Sequence, residues 1–308
     1  MKIQKSVLLI FTFIFALSIC GCAVTPTDGD ATGADVAGGD LVSPSSAPDK
    51  GETENDPSFI QGTETYRGFT VDNVLRSEKG DIHFSLYIPD DYDGSTPYAL
   101  YLTLPGYEGL YFQGAAQNLR SENFAFEAQK YNDRMIIVAP QLNDWTETSA
   151  DQTIILVEYF LRHYAIDRSA VYANGYSGGG ETMSIAVGKR PDLFSAYLQV
   201  SSQWDGEYES VVRSRLPVYL AIGENDEYYG SSPTRNAYNT FYRLYRESGL
   251  TDEEIDEILV LNIKDHSYFS DRNAPNEHGG GGLFAFDPEI MGWLFSSRPP
   301  RNTSTLMR

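Results

Sequence analysis

Hydrophobic and polar positions change rhythm sharply along the chain. From about residue 59 the pattern is that of strands: Phe69 to Arg76 and Ile82 to Ile88 alternate around Ser77-Glu78-Lys79-Gly80-Asp81, which predicts an antiparallel hairpin. Near-continuous apolar runs follow at Tyr98 to Leu104, stopped by Pro105-Gly106, and at Met135 to Ala139, stopped by Pro140. Such runs read as strands buried on both faces. Further strands are expected at Ala170 to Asn174, Tyr197 to Val200, Val218 to Ile222 and Ile258 to Ile263. Helical character lies between them, over 121–131, 150–164, the stretch after Ser177 to about Lys189, 234–247 and 288–295; in the second, Ile154, Ile155, Val157, Tyr159, Phe160 and Leu161 supply an apolar face. Strands alternating with helices predict an α/β protein: a mainly parallel sheet with helices on both faces, preceded by an antiparallel hairpin.

The first 58 residues follow other rules. Met1-Lys2-Ile3-Gln4-Lys5 precedes an apolar run from Val7 to Ile19, too short to span a bilayer, which reads as a signal peptide over 1–21. Ile19-Cys20-Gly21-Cys22 resembles the lipobox of bacterial lipoproteins, and the resemblance implies cleavage before Cys22 and lipidation of its thiol. Residues 22–58 are rich in Asp, Gly, Ala, Ser, Thr and Pro and read as an acidic tether, leaving 59–300 as one globular domain and 301–308 as a tail. These features place the domain outside the cytoplasm of a bacterial cell envelope, held to the membrane through Cys22. A formal net charge of -20 argues against nucleic acid as a partner, and equally against a basic membrane-binding face.

Chemistry concentrates at Gly175-Tyr176-Ser177-Gly178-Gly179. A Gly-x-Ser-x-Gly match is weak alone, but here it directly follows a strand and directly precedes a helix, the setting of a nucleophile elbow. Ser177 would take a strained backbone that lifts its hydroxyl, and the following helix would aim its positive end where charge develops. An acid belongs in a later loop, and Gly223-Glu224-Asn225-Asp226-Glu227 ends one strand; Asp226 is the choice, with Glu224 and Glu227 as solvated competitors. His266 and His278 both fall between the last strand and the closing helix, where a general base is needed. His278 is favoured because Gly279 to Gly282 would let the loop fold back, and His266 stays open as the alternative base. His83 and His163 read as packing or surface residues. An oxyanion hole would take the backbone N–H groups of Gly178 and Tyr107. Trp145, Trp204, Tyr228 and Tyr229 follow strand ends on the same side and are candidates for a substrate pocket.

Tyr164-Ala165-Ile166-Asp167-Arg168-Ser169-Ala170-Val171-Tyr172-Ala173-Asn174-Gly175-Tyr176-Ser177-Gly178-Gly179-Gly180, continued by Pro191-Asp192-Leu193-Phe194-Ser195-Ala196 and Ile290-Met291-Gly292-Trp293-Leu294-Phe295, resembles the polyhydroxybutyrate depolymerase-like and feruloyl-esterase-like members of the α/β-hydrolase superfamily. The resemblance covers roughly residues 65–297. It implies an α/β-hydrolase fold and a Ser-His-Asp esterase acting on short acyl, hydroxyacyl or hydroxycinnamoyl esters, free or linked to polysaccharide, with no cofactor and no metal. Similar chains are also labelled prolyl-oligopeptidase-type peptidases, and an inactive ligand-binding domain is the third reading. Leu104-Pro105-Gly106-Tyr107 departs from the family's usual His-Gly at the second oxyanion donor.

Overall fold

The computed structural model describes residues 57–296. The expected signal peptide, Cys22, all but the end of the tether, and the tail lie outside the described residues. Ser58, expected to close the tether, already pairs with Arg76 in the first strand.

The elements follow the order β1 (Ser58–Ile60), β2 (Glu64–Tyr66), β3 (Phe69–Ser77), β4 (Gly80–Tyr87), β5 (Tyr98–Leu104), α1 (Gln117–Ser121), α2 (Phe124–Glu127), β6 (Met135–Gln141), α3 (Glu147–His163), β7 (Ile166–Tyr176) and α4 (Gly178–Lys189). They continue with β8 (Ala196–Val200), α5 (Tyr208–Ser214), β9 (Val218–Gly223), α6 (Ser232–Glu247), α7 (Asp252–Asp256), β10 (Leu259–Lys264), α8 (His266–Ser270) and α9 (Pro288–Phe295). Among the described residues ten strands form one sheet in the order β1-β3-β4-β6-β5-β7-β8-β9-β10, with β2 beside β3. β3 and β4 make the predicted hairpin, closing where Ser77 pairs with Gly80, whose φ of +93° a side chain would disfavour. From β6 to β10 every neighbouring pair is parallel.

The parallel strands are apolar on both faces because both faces are covered. Leu100, Leu102 and Leu104 of β5 join a core with Leu156 and Phe160 of α3, Met183 of α4 and Phe241 and Tyr245 of α6. Ala99 and Tyr101 of the same strand point the other way, into a core with Phe124 of α2 and Ile290, Met291 and Leu294 of α9. Each large side chain removed from water here contributes about 1.5–3 kcal/mol, so the sheet is a rigid platform. No helix among the described residues is long and apolar enough to cross a membrane.

One expected element is broken. The helix predicted over 121–131 is α1, an extended Glu122 (φ -132°, ψ 158°), α2 and a 3₁₀ turn at Ala128–Lys130. At the break the Glu122 carboxyl turns inward and accepts a hydrogen bond from the Gly106 N–H at 2.6 Å. What the topology supplies is a shared edge: β5, β7, β9 and β10 run parallel, so their following loops gather at one end of the sheet.

Candidate active site

Ser177 stands between β7 and α4 with φ 52° and ψ -125°, a conformation costly for any residue with a Cβ. Both of its backbone groups are held. Its N–H donates to the Val200 carbonyl at 3.0 Å, and its carbonyl accepts from the Ser202 hydroxyl at 2.7 Å. Close packing explains the glycines: a Cβ on Gly175 would lie 2.4 Å from the Gly179 carbonyl oxygen, and one on Gly179 2.4 Å from the Pro105 carbonyl oxygen. Without side chains there, α4 starts hard against the ends of β5 and β7.

The Ser177 Oγ lies 3.0 Å from His278 Nε2. On the far side of the ring, His278 Nδ1 lies 2.9 Å from Asp226 Oδ2 and 3.1 Å from Oδ1. Asp226 follows β9 and its side chain is inaccessible to solvent. Its Oδ1 also accepts the backbone N–H groups of Tyr228 and Tyr229 at 3.0 and 2.9 Å, so the acid is itself fixed. The structure thus brings together Ser177, His278 and Asp226 in a geometry that can move a proton off the serine.

His266 is not part of this chain of contacts. Asp265 caps α8 by accepting the Tyr268 N–H, and the turn points the His266 ring outward, 76% exposed, with only Glu277 at 3.3 Å from Nδ1. Glu224 and Glu227 both stay at the surface, as expected, but Glu227 also makes a contact the sequence did not announce. Its carboxylate accepts the backbone N–H groups of His278 at 2.9 Å and Glu277 at 3.2 Å. Burial opposes its ionisation, yet these two donors outweigh burial and hold the carboxyl below its usual range. Glu277, 2% exposed, accepts the Asn225 N–H at 2.7 Å and so ties the histidine loop to the acid loop a second time. Sequence pattern carries no signal for these cross-loop contacts.

Gly178 opens α4, and a first-turn N–H has no carbonyl four residues back within its helix. Tyr107 begins a 3₁₀ turn directly after Gly106, and a Cβ built on Gly106 would sit 3.5 Å from the Ser177 Cβ. Gly178 and Gly106, the residue before the second oxyanion candidate, therefore border the nucleophile. Trp145 lies over Gly178, where an added Cβ would meet the indole at 2.4 Å. Tyr228 is 73% exposed with its ring centroid 5.2 Å from that of His278, at the mouth of the site. Trp204 must be corrected: its indole packs against Tyr197, Tyr208 and Phe241, donates to the Gly206 carbonyl and belongs to the core, 8% exposed. The ring is amphipathic, and here the interior satisfies both its apolar body and its N–H.

Tyr229 has a role that the sequence did not specify. Its ring lies 5.6 Å from His278, and its hydroxyl donates to Glu181 of α4 at 2.9 Å. Burial first, then the Glu181 charge, push the phenol up, so it remains a donor. Burial, with a smaller effect of Asp205, pushes the Glu181 carboxyl up against that hydrogen bond. Among the described residues no three His, Cys, Asp or Glu side chains gather as metal ligands.

A thermostable esterase superposes on the chain with a TM-score of 0.60 and 19% identity, over 74% of this chain and 62% of its own. A serine-to-alanine variant of the feruloyl esterase module from Clostridium thermocellum, complexed with sinapinate, gives 0.52 and 11%, over 82% and 99%. This is the α/β-hydrolase fold. The same α/β-hydrolase frame is shared with a Bacteroides ovatus protein described as a dipeptidyl aminopeptidase IV, at 0.53 and 13%, over 75% of this chain and 36% of that one. Residues 141–252 match the prolyl oligopeptidase family, a stretch that holds Ser177 and Asp226 but not His278. A search of curated proteins by sequence returns no match. The chain spans less than two thirds of the length of the thermostable esterase.

Proposed function

We propose that the protein is a serine hydrolase of ester bonds. The observation that carries this reading is the continuous contact from Ser177 Oγ through His278 to buried Asp226. In the reaction Ser177 attacks the ester carbonyl while His278 takes its proton. The tetrahedral oxyanion forms against the N–H groups of Gly178 and Tyr107, and His278 returns the proton to the departing alcohol. Water then repeats the sequence on the acyl-enzyme, and Asp226 keeps the imidazole in the tautomer that can accept from serine. Trp145 and Tyr228 would flank the acyl group, which favours short acyl, hydroxyacyl or hydroxycinnamoyl esters, free or borne on polysaccharide. Replacing Ser177 with Ala should abolish hydrolysis of p-nitrophenyl acetate, and turnover at the wild-type rate would refute the reading.

The lipobox resemblance at Cys22 supports the further proposal that this hydrolase is anchored through lipid, outside the cytoplasm. Incorporation of labelled palmitate that is lost in Cys22→Ala would test it. A peptidase is the second reading, favoured by the family match over residues 141–252. Release of p-nitroaniline from a prolyl-peptide amide, with no turnover of p-nitrophenyl esters, would replace the esterase proposal. A purely ligand-binding role is disfavoured by the complete Ser-His-Asp contact, and failure of a fluorophosphonate to label Ser177 would restore it.

A further inference from the structure

Glu122 is an ionisable side chain buried beside the nucleophile's neighbours. It is 8% exposed, in the gap between α1 and α2, and it spends Oε1 on the Gly106 N–H. Gly106 is the residue that lies against Ser177 and precedes the Tyr107 donor, with Tyr176 ring atoms 3.2 Å from where its Cβ would be. The rest of the 105–116 segment is held without a carboxylate: Gln141 donates to the Gly109 and Gly114 carbonyls and accepts from the Ala116 N–H, and the Arg120 guanidinium donates to the Ala115 carbonyl. Only the contact nearest the nucleophile uses a carboxyl. A cavity of about 10 Å³, with Thr103, Asn118 and Glu122 among its lining, adjoins it, room for about one water molecule.

We propose that Glu122 is a positioning residue: its carboxyl fixes the Gly106–Tyr107 peptide beside Ser177, and its ionisation turns the oxyanion hole off. This rests on the serine-hydrolase reading above. A neutral carboxyl accepts the Gly106 N–H through its carbonyl oxygen and adds no charge. Once the proton leaves to solvent, a buried anion faces the same space in which the reaction builds a second anion, and the two repel in a poorly screened interior. The groups facing Glu122 offer it no cation. Burial first, then the Glu108 carboxylate on the neighbouring turn, raise it against the Gly106 hydrogen bond, pushing it up to about 8. Tyr101 of β5 and Tyr176 of β7 are the other titratable neighbours, and both phenols are held up by burial and further raised by Glu122.

The test is the pH dependence of kcat for p-nitrophenyl acetate. With Glu122 titrating about pH 8, the wild-type ratio of kcat at pH 9 to that at pH 7 should be about 0.1. E122Q, which keeps an acceptor and cannot ionise, should raise the ratio to near 1. E122A should lower kcat with little change in KM, because the hole is needed only in the transition state. An E122Q enzyme with the wild-type alkaline limb overturns the proposal. Should E122Q not fold, E108Q reports instead: removing the exposed neighbouring charge must move the limb to lower pH, and an unmoved limb overturns the proposal equally. Thermal unfolding gives a readout without turnover. A carboxyl raised in the native state contributes stability that is lost as pH rises from its ordinary 4.5 to about 8, so the wild type should lose stability relative to E122Q across that window. If S177A is inactive while E122Q keeps the limb, only this proposal fails; if S177A turns over normally, both fail.

Discussion

Two histidines follow β10, twelve positions apart, and each meets a carboxylate through Nδ1, yet the two regions differ in nearly every physical respect. His266 opens α8 at the surface, 76% exposed, with Glu277 at 3.3 Å. His278 is 21% exposed, with Asp226 at 2.9 Å and Ser177 on its other nitrogen. The carboxylates differ as well. Asp226 is directed at the ring, and backbone donors hold it there, whereas Glu277 spends its other oxygen on the Asn225 N–H and braces a loop. A histidine–carboxylate contact is therefore not in itself a catalytic feature. What distinguishes one from the other is whether the free ring nitrogen is delivered to a nucleophile by strands that share an edge.

The strongest way to break the contrast is to remove His278. His278→Ala should lower kcat by about 10⁴-fold or more, because the serine then lacks a base. Steady-state hydrolysis of p-nitrophenyl acetate measures it, and a loss below 10-fold would mean that another group takes the proton. Asp226→Asn should cost slightly less, on the order of 10³–10⁴-fold in kcat with KM nearly constant, since the amide can hold the imidazole in the wrong tautomer. An Asp226→Asn enzyme of wild-type kcat would show that the buried acid only shapes the loop.

How far this was legible in the sequence differs by residue. The strands of the parallel sheet, Leu100, Ile136 and Leu220 among their members, announce themselves because both faces are buried and the apolar run is unbroken. Ser177 was legible because a strained turn needs glycine neighbours, and those leave a local signature. Asp226 and His278 were legible only as positions after late strands; their meeting depends on the parallel order of β7, β8 and β9. Glu227, Tyr229 and Glu122 carry no local signature, because each acts on backbone or side chains brought close by folding: Glu227 on residue 278, Tyr229 on residue 181 and Glu122 on residue 106. Trp204 misled for the converse reason. A large aromatic after a strand end looks the same in sequence whether it faces a pocket or fills the gap beside α6.

Glu227 gives a finer probe of what positions the better-placed histidine. Its carboxylate accepts two N–H groups, those of Glu277 and His278, and a glutamine can match only part of that pattern. Glu227→Gln should lower kcat on the order of 10-fold by loosening the imidazole, with Ser177 itself untouched. The sign of the pH effect follows from the lowered carboxyl. Its stabilising contribution is present above the ordinary value of 4.5 and is lost as pH falls through the depressed range. The stability gap between wild type and Glu227→Gln should therefore be widest near neutrality and close on acidification, as unfolding by urea at pH 7 and pH 3.5 would show. A gap that widens in acid would contradict the assigned role.

The smallest effect sharpens the comparison most. His266→Ala should change kcat for p-nitrophenyl acetate by less than about 2-fold and stability by less than about 0.5 kcal/mol. The reason lies in where the contact stands. An exposed side chain gains little from a single contact at 3.3 Å, and the Glu277 carboxylate keeps its backbone donor at Asn225 after the ring is gone. Glu277→Ala should behave differently, because it strips the Asn225 N–H of a buried acceptor beside the loop that carries Asp226. The cost there is that of a hydrogen bond to a charged acceptor, about 1.5–3 kcal/mol of stability, together with a fall in kcat as Asp226 loses its register. Measured side by side, the pair of variants separates a histidine that merely touches a carboxylate from a carboxylate that holds the acid loop. Equal effects of the two would mean that His266 acts through Glu277 and that the two histidine regions are coupled.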